Sequence, residues 1–216
     1  MGQYWMQSGG SATIDEGLSV CVDNNNNVYN TGYFTSTFEM SGQQLNSQGL
    51  DDIYICKFDS TGALDWLIRE GGSAQERALS IDADGSGNIV ISGYFYGTTS
   101  IGGTQLISNG QQDIFIAKYT AGGNFVFANT MGGTKSDKGY VLQTDKNNNI
   151  YVTGSFSESV DFDPGAAIHT LTSAGKSDIF FAKYDATGNY IYANSIEGAV
   201  YDEAPAKLLV YNGGEI

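Results

Sequence analysis

Apolar and polar residues alternate along short stretches of this chain, and the stretches recur. Leu18, Val20 and Val22 are separated by single residues, as are Leu79, Ile81 and Ala83, and then Tyr140, Leu142 and Thr144. A period of two over about five residues predicts a strand with one face buried. After each comes a turn signal rich in Asp, Asn and Gly, then a second strand: Val28–Phe34, Ile89–Phe95 and Ile150–Phe156. A more polar stretch follows and ends in Leu-x-Ser-x-Gly or a near relative, beginning at Leu45, Leu106 and Leu171. Next comes Asp-Ile-aromatic-apolar-small-Lys-aromatic: DIYICKF from Asp52, DIFIAKY from Asp113 and DIFFAKY from Asp178. Glycine turns at Gly62, Gly123 and Gly188 lead onward.

The turns at Asp23, Asp84 and Asp145 stand 61 residues apart each time. Each unit opens on an aromatic and a Gly-Gly pair: Trp5 with Gly9-Gly10, Trp66 with Gly71-Gly72, Phe127 with Gly132-Gly133. A fourth begins at Tyr192, with Gly198 where the pair would stand. The repeats read approximately as 4–65, 66–126, 127–191 and a truncated 192–216, in one segment covering 1–216. Four strand-like segments per unit, with no helical periodicity, predict an all-β fold: a β-propeller of four-stranded antiparallel blades, about three and a half of them present. A solenoid is the competitor, but its repeats are usually shorter and parallel, whereas short Gly-rich turns favour hairpins. A propeller closes with roughly four to eight blades, so the chain reads as part of something larger, and open blade edges predict self-association. Four extra residues fall between Phe156 and Leu171, in SESVDFDPGAAIHT, which predicts a loop at one edge of the third unit.

Composition narrows the partners. Hydrophobic residues make up 41% of the 216, enough for a buried core. The net charge of −14 excludes binding along a row of phosphates and disfavours anionic membranes. No apolar run approaches the ~20 residues of a membrane span, and MGQYWMQSGG has neither the charged start nor the apolar stretch of a secretory signal. Cys56 aligns with Ala117 and Ala182 and reads as a small core residue, while Cys21 aligns with Asp82 and Gln143 and is expected on a more polar face. Neither a bridge between them nor a catalytic thiol is expected.

These motifs together resemble the bacterial seven-bladed β-propeller repeat family, often called SBBP repeats. The likeness covers about residues 4 to 216 and is carried by Trp-x(4)-Gly-Gly, the Asp/Asn turn leading into Tyr-x-Thr-Gly-x-Phe, Asp161–Gly165 and Asp178–Gly188. Phe127 and Tyr192 replace the Trp, and YDEAPAKLLVYNGG in the fourth unit departs from the pattern. The resemblance implies a large secreted or surface-attached bacterial protein, and hence an extracellular or cell-surface location.

Repetition filters the candidate chemistry, because a catalytic centre is needed once while a residue in every unit is architecture. Asp23, Asp84 and Asp145 open turns, where Asp and Asn bond the local backbone and tolerate left-handed geometry. The other reading is calcium, since Asp82 and Asp84 sit among closely spaced oxygens of the kind a hard cation prefers. Asp161 and Asp163, on one face if extended, form a second candidate calcium pair. His169 lacks the His or Cys partners of a zinc site. Asp52 and Lys57, about 17 Å apart on a strand, cannot act as a pair; each is expected to bond a neighbouring segment.

No hydrolase, nucleotide or metalloprotease motif is present. The expectation is a non-catalytic propeller scaffold for adhesion or for binding protein or glycan, with no cofactor unless calcium. The alternative is part of a propeller enzyme, a glycan hydrolase or lyase, with carboxylates converging from different blades at the channel mouth.

Overall fold

The computed structural model describes residues 5–198 together with Pro205, Leu208 and Val210; most of the fourth unit, including the rest of YDEAPAKLLVYNGG, lies outside the described residues. The first unit contains β1 (Gly9–Gly10), β2 (Asp15–Val22), β3 (Val28–Phe34), β4 (Thr37–Met40), β5 (Gln43–Asn46), β6 (Asp52–Phe58) and β7 (Leu64–Glu70). The second contains β8 (Glu76–Ala83), β9 (Ile89–Ile101), β10 (Thr104–Tyr119) and β11 (Phe125–Met131). The third contains β12 (Lys138–Thr144), β13 (Ile150–Phe156), β14 (Ser159–Asp161), β15 (Thr170–Thr172), β16 (Asp178–Tyr184) and β17 (Tyr190–Ile196). Among the described residues there is no helix.

Three four-stranded antiparallel meanders result, in the orders β2-β3-β6-β7, β8-β9-β10-β11 and β12-β13-β16-β17. The aromatic that opens each sequence repeat lies in the last strand of the preceding sheet: Trp66 in β7 and Phe127 in β11. The polar stretch of each unit forms a second hairpin. It is separate as β4–β5 and β14–β15, and continuous with the long β9 and β10 in the second unit. The extra residues of the third unit lie between β14 and β15.

The first turn of each sheet is set by its aspartate. Asp23 Oδ1 accepts the amides of Asn25 (2.8 Å) and Asn27 (2.9 Å), and its Oδ2 accepts the Asn27 side-chain amide. Asp84 and Asp145 repeat the arrangement with residues 86 and 88, and 147 and 149. The turn needs one left-handed residue, supplied by Asn26 (φ 61°), Gly87 (φ 78°) and Asn148 (φ 64°). That requirement explains why the sequence tolerates only Asn or Gly there. The run DNNNN is a hairpin turn.

Both faces of the middle sheet are buried. Tyr29, Ile53 and Ile55 of the first sheet pack on Ile81, Ile91, Phe95 and Phe115 of the second. Val90, Ile114 and Ile116 on its opposite face pack on Leu142, Val152, Phe156 and Phe180 of the third. Strand β8 packs on β2 and β12, so the first strands lie side by side.

Two expectations need correction. The alternation in β2 is real, but Leu18, Val20 and Val22 are exposed. The equivalents of Val20, namely Ile81 and Leu142, are buried because another sheet lies against them. Cys21, expected on a polar face, packs partly buried against the cluster between the first two sheets; burial, then Asp82 and Asp23, push its thiol pKa up. Cys21 and Cys56 are free thiols.

Candidate functional site

The repeated charged residues are held by structural bonds. Lys57 pairs with Asp65 at 2.9 Å, Lys118 with Asp84 at 2.9 Å, and Lys183 approaches Asp145 at 3.9 Å. Asp52 and Asp178, which open β6 and β16, and Asp113 within β10 accept the amide four residues earlier, from Gln48, Ala174 and Asn109 respectively. Arg69 also binds Asp52, at 2.7 Å.

The structure does not bring the four candidate calcium ligands together as a cation cage. Asp82 Oδ2 accepts the amide (2.7 Å) and hydroxyl (2.9 Å) of Thr144 across the sheet boundary. Burial opposes ionisation of Asp84, yet bonds from Lys118 and Asn88 hold its carboxyl below the ordinary value. The Lys118 ammonium lies 2.9 Å from Asp84 Oδ2. Asp161 Oδ1 accepts the amides of Asp163 (3.1 Å) and His169 (2.9 Å), and Asp163 Oδ1 accepts that of Gly165 (2.7 Å). Among the described residues no three His, Cys, Asp or Glu side chains are grouped to hold a metal ion.

The turns opening on Asp23, Asp84 and Asp145 border one hollow of about 220 Å³ with Asn24 and Lys146. Carboxylates from three sheets therefore do converge at one end of the molecule. Oδ1 of each is an acceptor of its own turn amides.

The non-repeated feature is the segment between β14 and β15. Phe162 anchors it: the ring is fully buried, 4.8 Å from Phe180 and 5.6 Å from Phe156, and its carbonyl accepts the Tyr184 hydroxyl at 3.0 Å. Held this way, the segment sets His169 flat on Tyr190, with ring centroids 4.4 Å apart at 15°. His169 Nε2 lies 3.8 Å from Asp163 Oδ2. Asp163, Gly165, Asn129, Thr187, Asn189 and Tyr190 border a cleft of about 230 Å³ at the rim, where the second sheet meets the third. It offers an aromatic wall beside amides, a hydroxyl and a carboxylate. The sequence marks His169 and Asp163, but Tyr190 and Asn129 come from other segments and no local spacing joins them.

Buried acids also recur at the sheet boundaries. Glu76 accepts the amide of Gly72 at 3.1 Å beside Asp52, and Asp137 accepts that of Gly133 at 2.8 Å. Burial pushes the Glu76 carboxyl up to about 7 and the Asp113 carboxyl up to about 6. Glu76, Asp113 and Asp137 are fully buried.

No family model matches the chain. It is similar to an uncharacterized WD repeat-containing protein of Acanthamoeba polyphaga mimivirus, 24% identical over 97% of this chain and 18% of that protein. It is also similar to the regulatory protein FlaEY of Caulobacter vibrioides, 27% identical over 67% of this chain and 15% of that protein. The chain thus spans less than a fifth of the length of these curated relatives. No helix of the described residues is long and apolar enough to cross a membrane. Three antiparallel four-stranded blades and the likeness to a WD repeat-containing protein make this chain an all-β partial propeller built from propeller-type repeats.

Proposed function

We propose that the chain is a non-catalytic binding scaffold, a propeller segment of a secreted or surface-attached bacterial protein of the SBBP-repeat kind, and that its rim cleft binds a glycan. The observation that carries this reading is Tyr190, which borders the cleft beside Asp163 and is stacked on His169 behind it. A sugar ring is recognised by an aromatic face together with amide, hydroxyl and carboxylate groups at its edge, the set that borders this cleft. The likeness to a WD repeat-containing protein supports the scaffold part of the reading. So does the use of the repeated acids as turn caps and ion-pair partners.

A glycan array followed by calorimetry on the best hit tests the proposal. His169→Ala and Asp163→Asn should each weaken binding at least tenfold while leaving the thermal melt within about 2 °C of the parent. Glycan binding that ignores both substitutions would move the site elsewhere. Pull-down of a protein partner with no glycan on the array would replace the sugar with a protein ligand.

A further inference from the structure

The rim cleft between the second and third sheets offers a ligand acceptors in excess of donors. Its main-chain N–H groups are spent within the loops. The amide of Gly165 donates to Asp163, and those of Thr187, Gly188 and Asn189 all donate to Asp185. Pro164 has no N–H to give. The side-chain amides are engaged through their nitrogens. Asn129 Nδ2 donates to the Gly188 carbonyl at 2.8 Å, and Asn189 Nδ2 donates to Asp185 Oδ2 and Thr187 Oγ1, each at 2.9 Å. The Thr187 hydroxyl donates to Asp185 Oδ1 at 2.7 Å. Among the described residues no hydrogen bond reaches Asn129 Oδ1 or Asn189 Oδ1.

The charge at the cleft is negative and unanswered. Asp163 borders it with a side chain 14% exposed. Oδ1 of that carboxylate accepts the Gly165 amide, whereas Oδ2 has only His169 Nε2 at 3.8 Å, beyond hydrogen-bond reach. Among the described residues no Lys or Arg borders the cleft. Lys118, which reaches Ala186 in the loop after β16, is already bonded to that carbonyl at 3.0 Å and to Asp84 at 2.9 Å. A uronate or a sulfated sugar would add a second negative charge with no cation to meet it. A neutral sugar would bring hydroxyl oxygens that find few donors.

The molecule shows twice what such a setting accepts. Lys183 Nζ lies 4.8 Å from the Tyr151 ring centroid and 3.9 Å from Asp145 Oδ2. Lys57 Nζ lies 5.9 Å from the Tyr29 ring centroid and 2.9 Å from Asp65 Oδ2. Each ammonium is shared by a tyrosine ring and a carboxylate, whose attractions act together. Tyr190 and Asp163 bring the same two groups to the border of the rim cleft, with no lysine bordering it among the described residues. His169 covers one face of Tyr190 and steadies the ring.

We propose that the rim cleft takes a sugar carrying a free amine, its ammonium seated between Tyr190 and Asp163. The amide oxygens of Asn129 and Asn189 accept from the neighbouring hydroxyl groups of the same sugar. This inference rests on the glycan reading above and narrows it to basic sugars. An ammonium brings three donors and no acceptor, which matches a border rich in acceptors and poor in free N–H groups. The cleft, at about 230 Å³, is smaller than the roughly 300–1,000 Å³ of pockets for drug-sized ligands, and so suits a single sugar unit.

The test is calorimetry of the full chain with three β-1,4-linked tetrasaccharides, of glucosamine, N-acetylglucosamine and glucose, in a buffer that keeps the amine protonated. They differ only in an ammonium, an acetamide or a hydroxyl at one ring carbon. The glucosamine tetramer should bind at least tenfold more tightly than the other two. Asp163→Asn keeps an acceptor for the Gly165 amide and should erase that preference. Glu39→Gln removes one charge from an exposed position in the first unit and should leave the preference intact. This control separates the cleft from the general pull of a chain of net charge −14 on any polycation. Equal affinity for the three sugars, lost on Asp163→Asn, would overturn the amine inference and leave the glycan reading in place. A preference weakened alike by Glu39→Gln would also overturn it. Tetralysine bound as tightly, with the same loss on Asp163→Asn, would replace the sugar with a basic peptide. Binding of no glycan at all would remove both the inference and the reading beneath it.

Discussion

Phe127, in the last strand of the second sheet, stands over Gly188, in the last turn of the third, so closely that a Cβ on Gly188 would lie 2.7 Å from its ring. Gly188 has φ 88°, while Gly42 has φ 79° with open space around it. Alanine at Gly42 should cost only the left-handed strain, about 1 kcal/mol. Alanine at Gly188 adds overpacking between sheets and should cost about 2–4 kcal/mol. Urea unfolding of the two variants separates the terms, and equal costs would show that the aromatic–glycine contact does not hold neighbouring sheets together.

Lys118 is nearly buried against a fully buried Asp84. Lys118→Ala leaves that carboxylate without its counter-charge and should destabilise by about 3 kcal/mol or more. Replacing the pair together, as D84N with K118M, should recover much of the loss. The more distant and more exposed Lys183–Asp145 pair should lose about 1 kcal/mol or less on Lys183→Ala. Calcium followed by chelator should leave the melt of the parent unchanged. An upward shift of several degrees with calcium, abolished by Asp84→Ala, would show that the turns do take a metal.

Burial holds the Glu76 carboxyl at about 7 in the folded protein, above its ordinary 4.5. The folded state therefore keeps a proton that the unfolded chain has released. The stability this contributes is complete below about pH 4.5 and is lost as pH rises through about 7. Asp113, raised to about 6, acts in the same direction. Asp185 acts oppositely: although burial raises it, its bonds with Asn189 and Thr187 bring it down to about 2, so its contribution is lost only in strong acid. The melt should be highest near pH 4–5 and decline toward pH 8, and Glu76→Gln should flatten most of that decline. A melt that rises from pH 5 to 8 would contradict the buried-acid account.

The strands with strong alternation and the Asp-Asn-Gly turns were legible in the sequence, because both obey local rules. The phase of the repeat was not. A period of 61 residues says where a motif recurs, but not that Trp66 completes the sheet behind it while Gly71 already touches the sheet ahead. The hairpins β4–β5 and β14–β15 were hidden in polar stretches, since their strands are only three or four residues long and the second strand of each is largely exposed. Asp161 ends β14 and Asp163 lies in the segment that follows it. Their role as backbone acceptors depends on how Phe162 is buried, which the pairing of two acids does not reveal. The stack of His169 on Tyr190 is a tertiary contact between separate segments and left no local trace.

The central claim is that like residues in successive repeats sit in sheet-to-sheet interfaces, and that the first interface is open. Unfolding of Val20→Ala, Ile81→Ala and Leu142→Ala in urea tests it in one series. The account predicts about 2–4 kcal/mol for Ile81 and for Leu142, and less than about 0.5 kcal/mol for Val20. Comparable losses at all three positions would contradict it, because Val20 would then be buried like its equivalents.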